Sequence, residues 1–130
     1  MKKKQIREEA RLYFVPFLLG DTITAHKLSF KIFKKYGIVS LILDTKKTVV
    51  DLWDFSSRFK TISQNKNQEI TVMQLKDLAA QTQYTLPLLI PCSDEYKKLV
   101  NKNASELESE FIILNADIPL EDSPLAIIPN

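Results

Sequence analysis

Histidine and cysteine occur once each in this chain, as His26 and Cys92, and glycine only twice, as Gly20 and Gly37. A lone cysteine permits no internal disulfide, and it makes a reducing cytoplasm the expected compartment. A lone histidine rules out a multi-histidine metal site and a Ser–His–Asp constellation, and no metal-ligand cluster is legible in the residue order. Two glycines this far apart cannot build Gly-x-Gly-x-x-Gly, so a tight NAD or FAD site of the usual kind is not expected, and there is no Walker lysine loop. No apolar run reaches the ~18–20 residues of a membrane span. The lysines near the N-terminus are not followed by an apolar stretch, so a secretory signal is not expected. Net charge is only +2, but it is unevenly spread: residues 1–66 hold 14 basic and 6 acidic side chains, residues 67–130 hold 4 and 10. A basic helix and an acidic helix on opposite sides of a sheet account for this. Aromatic residues do not interleave with the basic ones, and no nucleic-acid partner is expected.

What is present is a repeating alternation of short apolar runs and amphipathic stretches. Phe14 to Leu19 is apolar throughout and is stopped by Gly20, as expected of a strand buried on both faces; Pro16 suits the start of that strand. From Asp21 to Tyr36 the period changes to that of a helix. Ala25, Leu28, Ser29, Ile32, Phe33 and Tyr36 share one face, and Lys27, Lys31, Lys34 and Lys35 take the other. Asp21 is the expected N-cap and Gly37 the left-handed C′ residue. Ile38–Leu43 reads as a second strand. Thr45–Phe55 reads as a loop with a helical turn folded over the sheet, where Trp53 would close a sheet face. Phe59–Ser63 alternates as an edge strand, Gln64–Glu69 is a loop, and Ile70–Gln81 is helical. Leu86–Ile90 is a fourth strand, and Ser93 caps a helix whose apolar face runs through Tyr96, Leu99, Val100 and Leu107. Phe111–Leu114 is a fifth strand.

Strands that alternate with helices and are apolar on both faces predict an α/β domain, a parallel sheet of about five strands with helices on both faces. Right-handed crossovers give the order 3-2-1-4-5 and a three-layer, Rossmann-like architecture. A polar helix or arm over residues 1–13 precedes this domain at 14–116, and an irregular tail with Pro119, Pro124 and Pro129 occupies 117–130. In that order the loops Gly20–Thr24 and Cys92–Glu95 flank a crevice at the carboxyl ends of the strands, the usual ligand position in such sheets. Asp21 and Ser93-Asp94-Glu95 place carboxylates at helix N-termini, where they would repel a phosphate. Asp44 is read as a solvated strand-end carboxylate, His26 as an exposed or rim side chain, and Cys92 as a partly buried, inert thiol.

Three stretches together resemble a known family: Pro16-Phe-Leu-Leu-Gly-Asp-Thr-Ile-Thr-Ala25 with the helix to Gly37, Ser56-Ser57-Arg58-Phe59, and Leu88-Leu-Ile-Pro-Cys-Ser-Asp-Glu-Tyr96 with Leu99-Val100 and Glu106-Leu107-Glu108. They are similar to the N-terminal, pre-ATP-grasp domain of carboxylate–amine ligases such as D-aspartate ligase and the large chain of carbamoyl phosphate synthase. Where that family often has a glycine and an arginine early in the first helix, this chain has Lys27 and Ser29 or Phe30. The resemblance implies a scaffold that is not catalytic alone and binds no cofactor itself. ATP and magnesium would be held by an ATP-grasp domain following Asn130. Gly20, Asp21, Thr22, Ser93, Asp94 and Glu95 would line the side of the cleft that takes a carboxylate or amino-acid substrate. An exposed apolar surface is then expected where the other domains pack. A second reading stays open: a free-standing module that binds a small ligand in the crevice or pairs with itself as a homo-oligomer.

Overall fold

The structure, a computed structural model, describes residues 14–63, 69–82 and 86–116. Five strands, β1 (Phe14–Leu19), β2 (Ser40–Asp44), β3 (Ser57–Thr61), β4 (Leu86–Pro91) and β5 (Ile112–Ile113), form one sheet in the order β3-β2-β1-β4-β5. Every neighbouring pair is parallel, with Phe17 opposite Leu41 and Leu89 across the middle of the sheet. This is the α/β, Rossmann-like arrangement expected from the sequence. β1 pairs with β4 along all six residues but with β2 only over Phe17–Leu19, so Pro16 lies ahead of the stretch paired on both sides. A missing N–H is tolerable there.

The helices are α1 (Ile23–Tyr36), α2 (Glu69–Ala80), α3 (Asp94–Lys102) and α4 (Ala104–Leu107). Alternate residues of each strand feed two cores. Phe14, Leu18, Ile42, Leu88 and Ile90 pack with Ala25, Leu28, Ile32 and Tyr36 of α1. Phe17, Leu19, Leu43 and Leu89 pack on the opposite face with Val72, Leu75, Leu78, Leu99, Val100 and Leu107. The lysines of α1 and the acidic residues Glu106, Glu108 and Glu110 are thereby carried to opposite sides of the sheet. Among the described residues no helix is long and apolar enough to cross a membrane.

Several boundaries differ from the sequence reading, each for a local reason. α1 is capped by Thr22, whose Oγ1 accepts a hydrogen bond from Ala25 N at 3.2 Å, because the Asp21 carboxylate is engaged elsewhere. Gly37 does take the left-handed C′ position, φ 71°. The helix after Ser93 breaks at Asn103, which bonds back to Leu99 O through its side chain, so Leu107 belongs to a separate turn. Thr45–Phe55 contains a single 3-10 turn at Val49–Leu52, and Trp53 does not close a sheet face: it is 82% exposed. The polar helix expected over residues 1–13, the tail 117–130 and most of the loop Gln64–Glu69 lie outside the described residues.

Candidate functional site

The turn between β1 and α1 carries Asp21, one helical turn later α1 presents His26, and the 3-10 turn with its exit supplies Asp51 and Asp54. His26 is buried, its side chain 9% exposed, which corrects the exposed or rim position read from the lysine-rich face of the helix. Its Nδ1 lies 2.5 Å from Asp54 Oδ2 and its Nε2 2.6 Å from Asp21 Oδ1. Asp51 Oδ1 stands 3.4 Å from the same Nε2. One imidazole is thus ringed by three carboxylates.

Backbone N–H groups anchor all three carboxylates, two of them from the same residue. Thr48 N donates to Asp21 Oδ2 at 2.9 Å and to Asp51 Oδ2 at 2.8 Å. Asp54 accepts from Ser56 N and Ser57 Oγ, each at 2.8 Å, and from the Ser56 hydroxyl. Ser29 Oγ of α1 in turn donates to Ser56 O at 2.8 Å. Burial disfavours charge on His26, but its hydrogen bonds to Asp54 and Asp21 outweigh that and raise its pKa above the ordinary 6.5. Asp21 and Asp54 go the other way: burial opposes their ionisation, and their hydrogen bonds more than offset it, so both stay below the usual carboxylate range. Asp51 is pushed up, first by burial and then by the neighbouring Asp21 carboxylate. Its Oδ1 is buried and makes no hydrogen bond.

Asp44 forms a second hub and is not simply solvated at its strand end. It accepts from Asp21 N (2.8 Å), Thr45 N (2.7 Å) and the Tyr96 hydroxyl (3.0 Å). Burial and the Asp44 charge push the Tyr96 phenol well up.

The two loops read as crevice walls do meet. A Cβ on Gly20 would lie 3.3 Å from Ser93 Oγ and 3.3 Å from Tyr96 Cδ2, and Thr22 Oγ1 donates to Cys92 O at 3.0 Å. They touch directly, so the polar groups of Thr22 and Ser93 serve as helix caps and loop ties. Asp94 and Glu95 are exposed in the first turn of α3, while Asp21 points away from them into the His26 cluster. Cys92 is buried, with Sγ 3.4 Å from Ile90 O.

Comparison with protein-family models, with curated proteins and with solved structures returns no match.

The surface beside the His26 cluster is apolar. Ile23 and Phe30 of α1 and Val49, Val50, Leu52, Trp53 and Phe55 of the following segment are all exposed. Phe55 stacks edge-on against Phe33 and Phe30, with ring centroids 5.6 and 6.5 Å away. An open groove of about 380 Å³ runs between Ile23, Phe30 and Val50, flanked by Lys27 and Lys31. The sequence reading missed this site because its acids come from the segment with the weakest periodicity. The available signal was the pair Asp51 and Asp54, three residues apart amid five large apolar side chains.

Proposed function

We propose that this domain works by docking: it is the N-terminal, pre-ATP-grasp-like scaffold of an ATP-dependent carboxylate–amine ligase, and its apolar face receives the ATP-grasp part of that enzyme. The groove between Ile23, Phe30 and Val50, the Phe30–Phe55 contact beside it and the exposed Val49, Leu52 and Trp53 of the same segment carry this reading. Large apolar side chains gathered on one side of a small domain are a common mark of an interface. Lys27 and Lys31 at its edge favour a partner with an acidic rim. The strand order and the family-like loops after β1 and β4 are consistent with the same role, with any substrate contact coming from the outer edge of those loops, where Asp94 and Glu95 are exposed.

Co-expression with the ATP-grasp polypeptide encoded in frame or beside this chain tests the reading. The expected result is a stable complex that is lost in the double variant Trp53→Ser, Phe55→Ser. A coding region with no ATP-grasp partner, a complex indifferent to the double variant, or a symmetric homodimer using this face would overturn it. Titration of ATP with magnesium into the isolated chain should show no nucleotide binding; micromolar affinity would contradict the assignment of nucleotide chemistry to the partner.

A further inference from the structure

We propose that Asp21, His26 and Asp51 form a binding site for a divalent transition-metal ion, of the zinc class, with the ion held by His26 Nε2 and one oxygen of each carboxylate. The three ligand atoms lie within 4.8 Å of one another. Four-coordinate zinc with bonds of about 2.0–2.1 Å sets its ligands roughly 3.3 Å apart. The 3.4 Å between His26 Nε2 and Asp51 Oδ1 already has that value. Asp21 Oδ1, at 2.6 Å from Nε2, would move outward by a fraction of an ångström.

An acidic cluster alone would not suffice, but Asp51 supplies a separate observation. Its side chain is 4% exposed, and its Oδ1 is buried, receives no N–H or hydroxyl hydrogen bond and faces the imidazole at 3.4 Å. Buried carboxylate oxygens are ordinarily satisfied, and an orphan calls for an explanation. An ion bound between Oδ1 and Nε2 provides one. Asp54 completes the pattern from behind: its carboxylate holds Nδ1–H at 2.5 Å and is itself fixed by Ser56 and Ser57, so Nε2 is the nitrogen that can take a metal once it gives up the proton it donates to Asp21 Oδ1. Charge points the same way. With all three carboxylates ionised, the cluster around one imidazolium would carry an excess of two negative charges, and burial together with that excess holds Asp51 up; a divalent ion that displaces the Nε2 proton to solvent halves that excess. Bound there, the ion would staple the Val49–Phe55 segment to α1. This inference does not depend on what docks on the neighbouring apolar face.

The test is calorimetric titration of ZnCl2 into the untagged, chelator-stripped full chain, paired with nitrogen NMR of its only imidazole. One equivalent should bind in the micromolar range or tighter, Nε2 should shift on coordination, and Nδ1 should keep its proton. Asp51→Asn should weaken binding by about ten-fold or more, since even ligand-supporting residues have effects of that size. Imidazole nitrogens unmoved at saturating zinc, no binding at millimolar zinc, or undiminished affinity in a folded Asp51→Asn variant would each overturn the proposal. Should that variant fail to fold, the imidazole signal of the natural chain decides.

Discussion

His26 sits where the charge balance of a whole segment is decided. Held between Asp54 and Asp21, it is easier to protonate in the folded chain than in the unfolded one. With chelator present, its contribution to stability is full below the ordinary pKa of 6.5 and is lost as pH rises through the higher folded value. Asp21 and Asp54 have depressed pKa values, so their contribution is present above the ordinary 3.8 and is lost as pH falls below it. Between those limits the cluster stabilises most. The stability gap between the natural chain and His26→Gln, read from thermal unfolding in EDTA, should therefore narrow from pH 6 to pH 9; a constant gap would mean the imidazole acts by packing alone. Gly20 is the other residue whose identity is forced. Its φ of 112° is strained for any side chain, and a Cβ would press on Ser93 and Tyr96. Gly20→Ala should cost about 1–3 kcal/mol in urea unfolding.

The regular elements follow from patterns that are short-range and strong. β1, α1 and β4 were legible because apolar continuity, a period of 3.6 and a terminal glycine each act within a few residues. The strand order followed from the right-handed crossover rule, which needs only the sequence of elements. Thr22 was not legible as the cap: Asp21 is the stronger candidate on propensity, and only the distant Thr48 together with the buried His26 draws its carboxylate away. Thr22→Ala should consequently cost about 1 kcal/mol or somewhat more, because it removes both the bond from Ala25 N and the tie to Cys92 O. The segment Val49–Phe55 resisted reading for the opposite reason. Its apolar side chains face outward, so burial imposes no period, and a 3-10 turn held by Thr48, Asp51 and His26 leaves no helical or strand signature. The candidate cluster was hidden with it, since Asp21, His26, Asp51 and Asp54 are joined only by the fold.

At the scale of the molecule, among the described residues, two buried cores flank the sheet, while Ile23, Phe30 and the apolar side chains of Val49–Phe55 stay exposed. That asymmetry is hard to explain by folding alone, because residues such as Trp53 and Phe55 bury little against their own chain. The double variant Trp53→Ser, Phe55→Ser should accordingly leave unfolding stability within about 1 kcal/mol of the natural chain while abolishing docking. Trp53 is also the only tryptophan, so its fluorescence reports on this face without labelling. The emission spectrum of Trp53, recorded before and after the ATP-grasp partner is added, tests the docking face most directly. A blue shift on complex formation is the predicted result; an unshifted, solvent-exposed emission in a verified complex would show that the partner binds elsewhere.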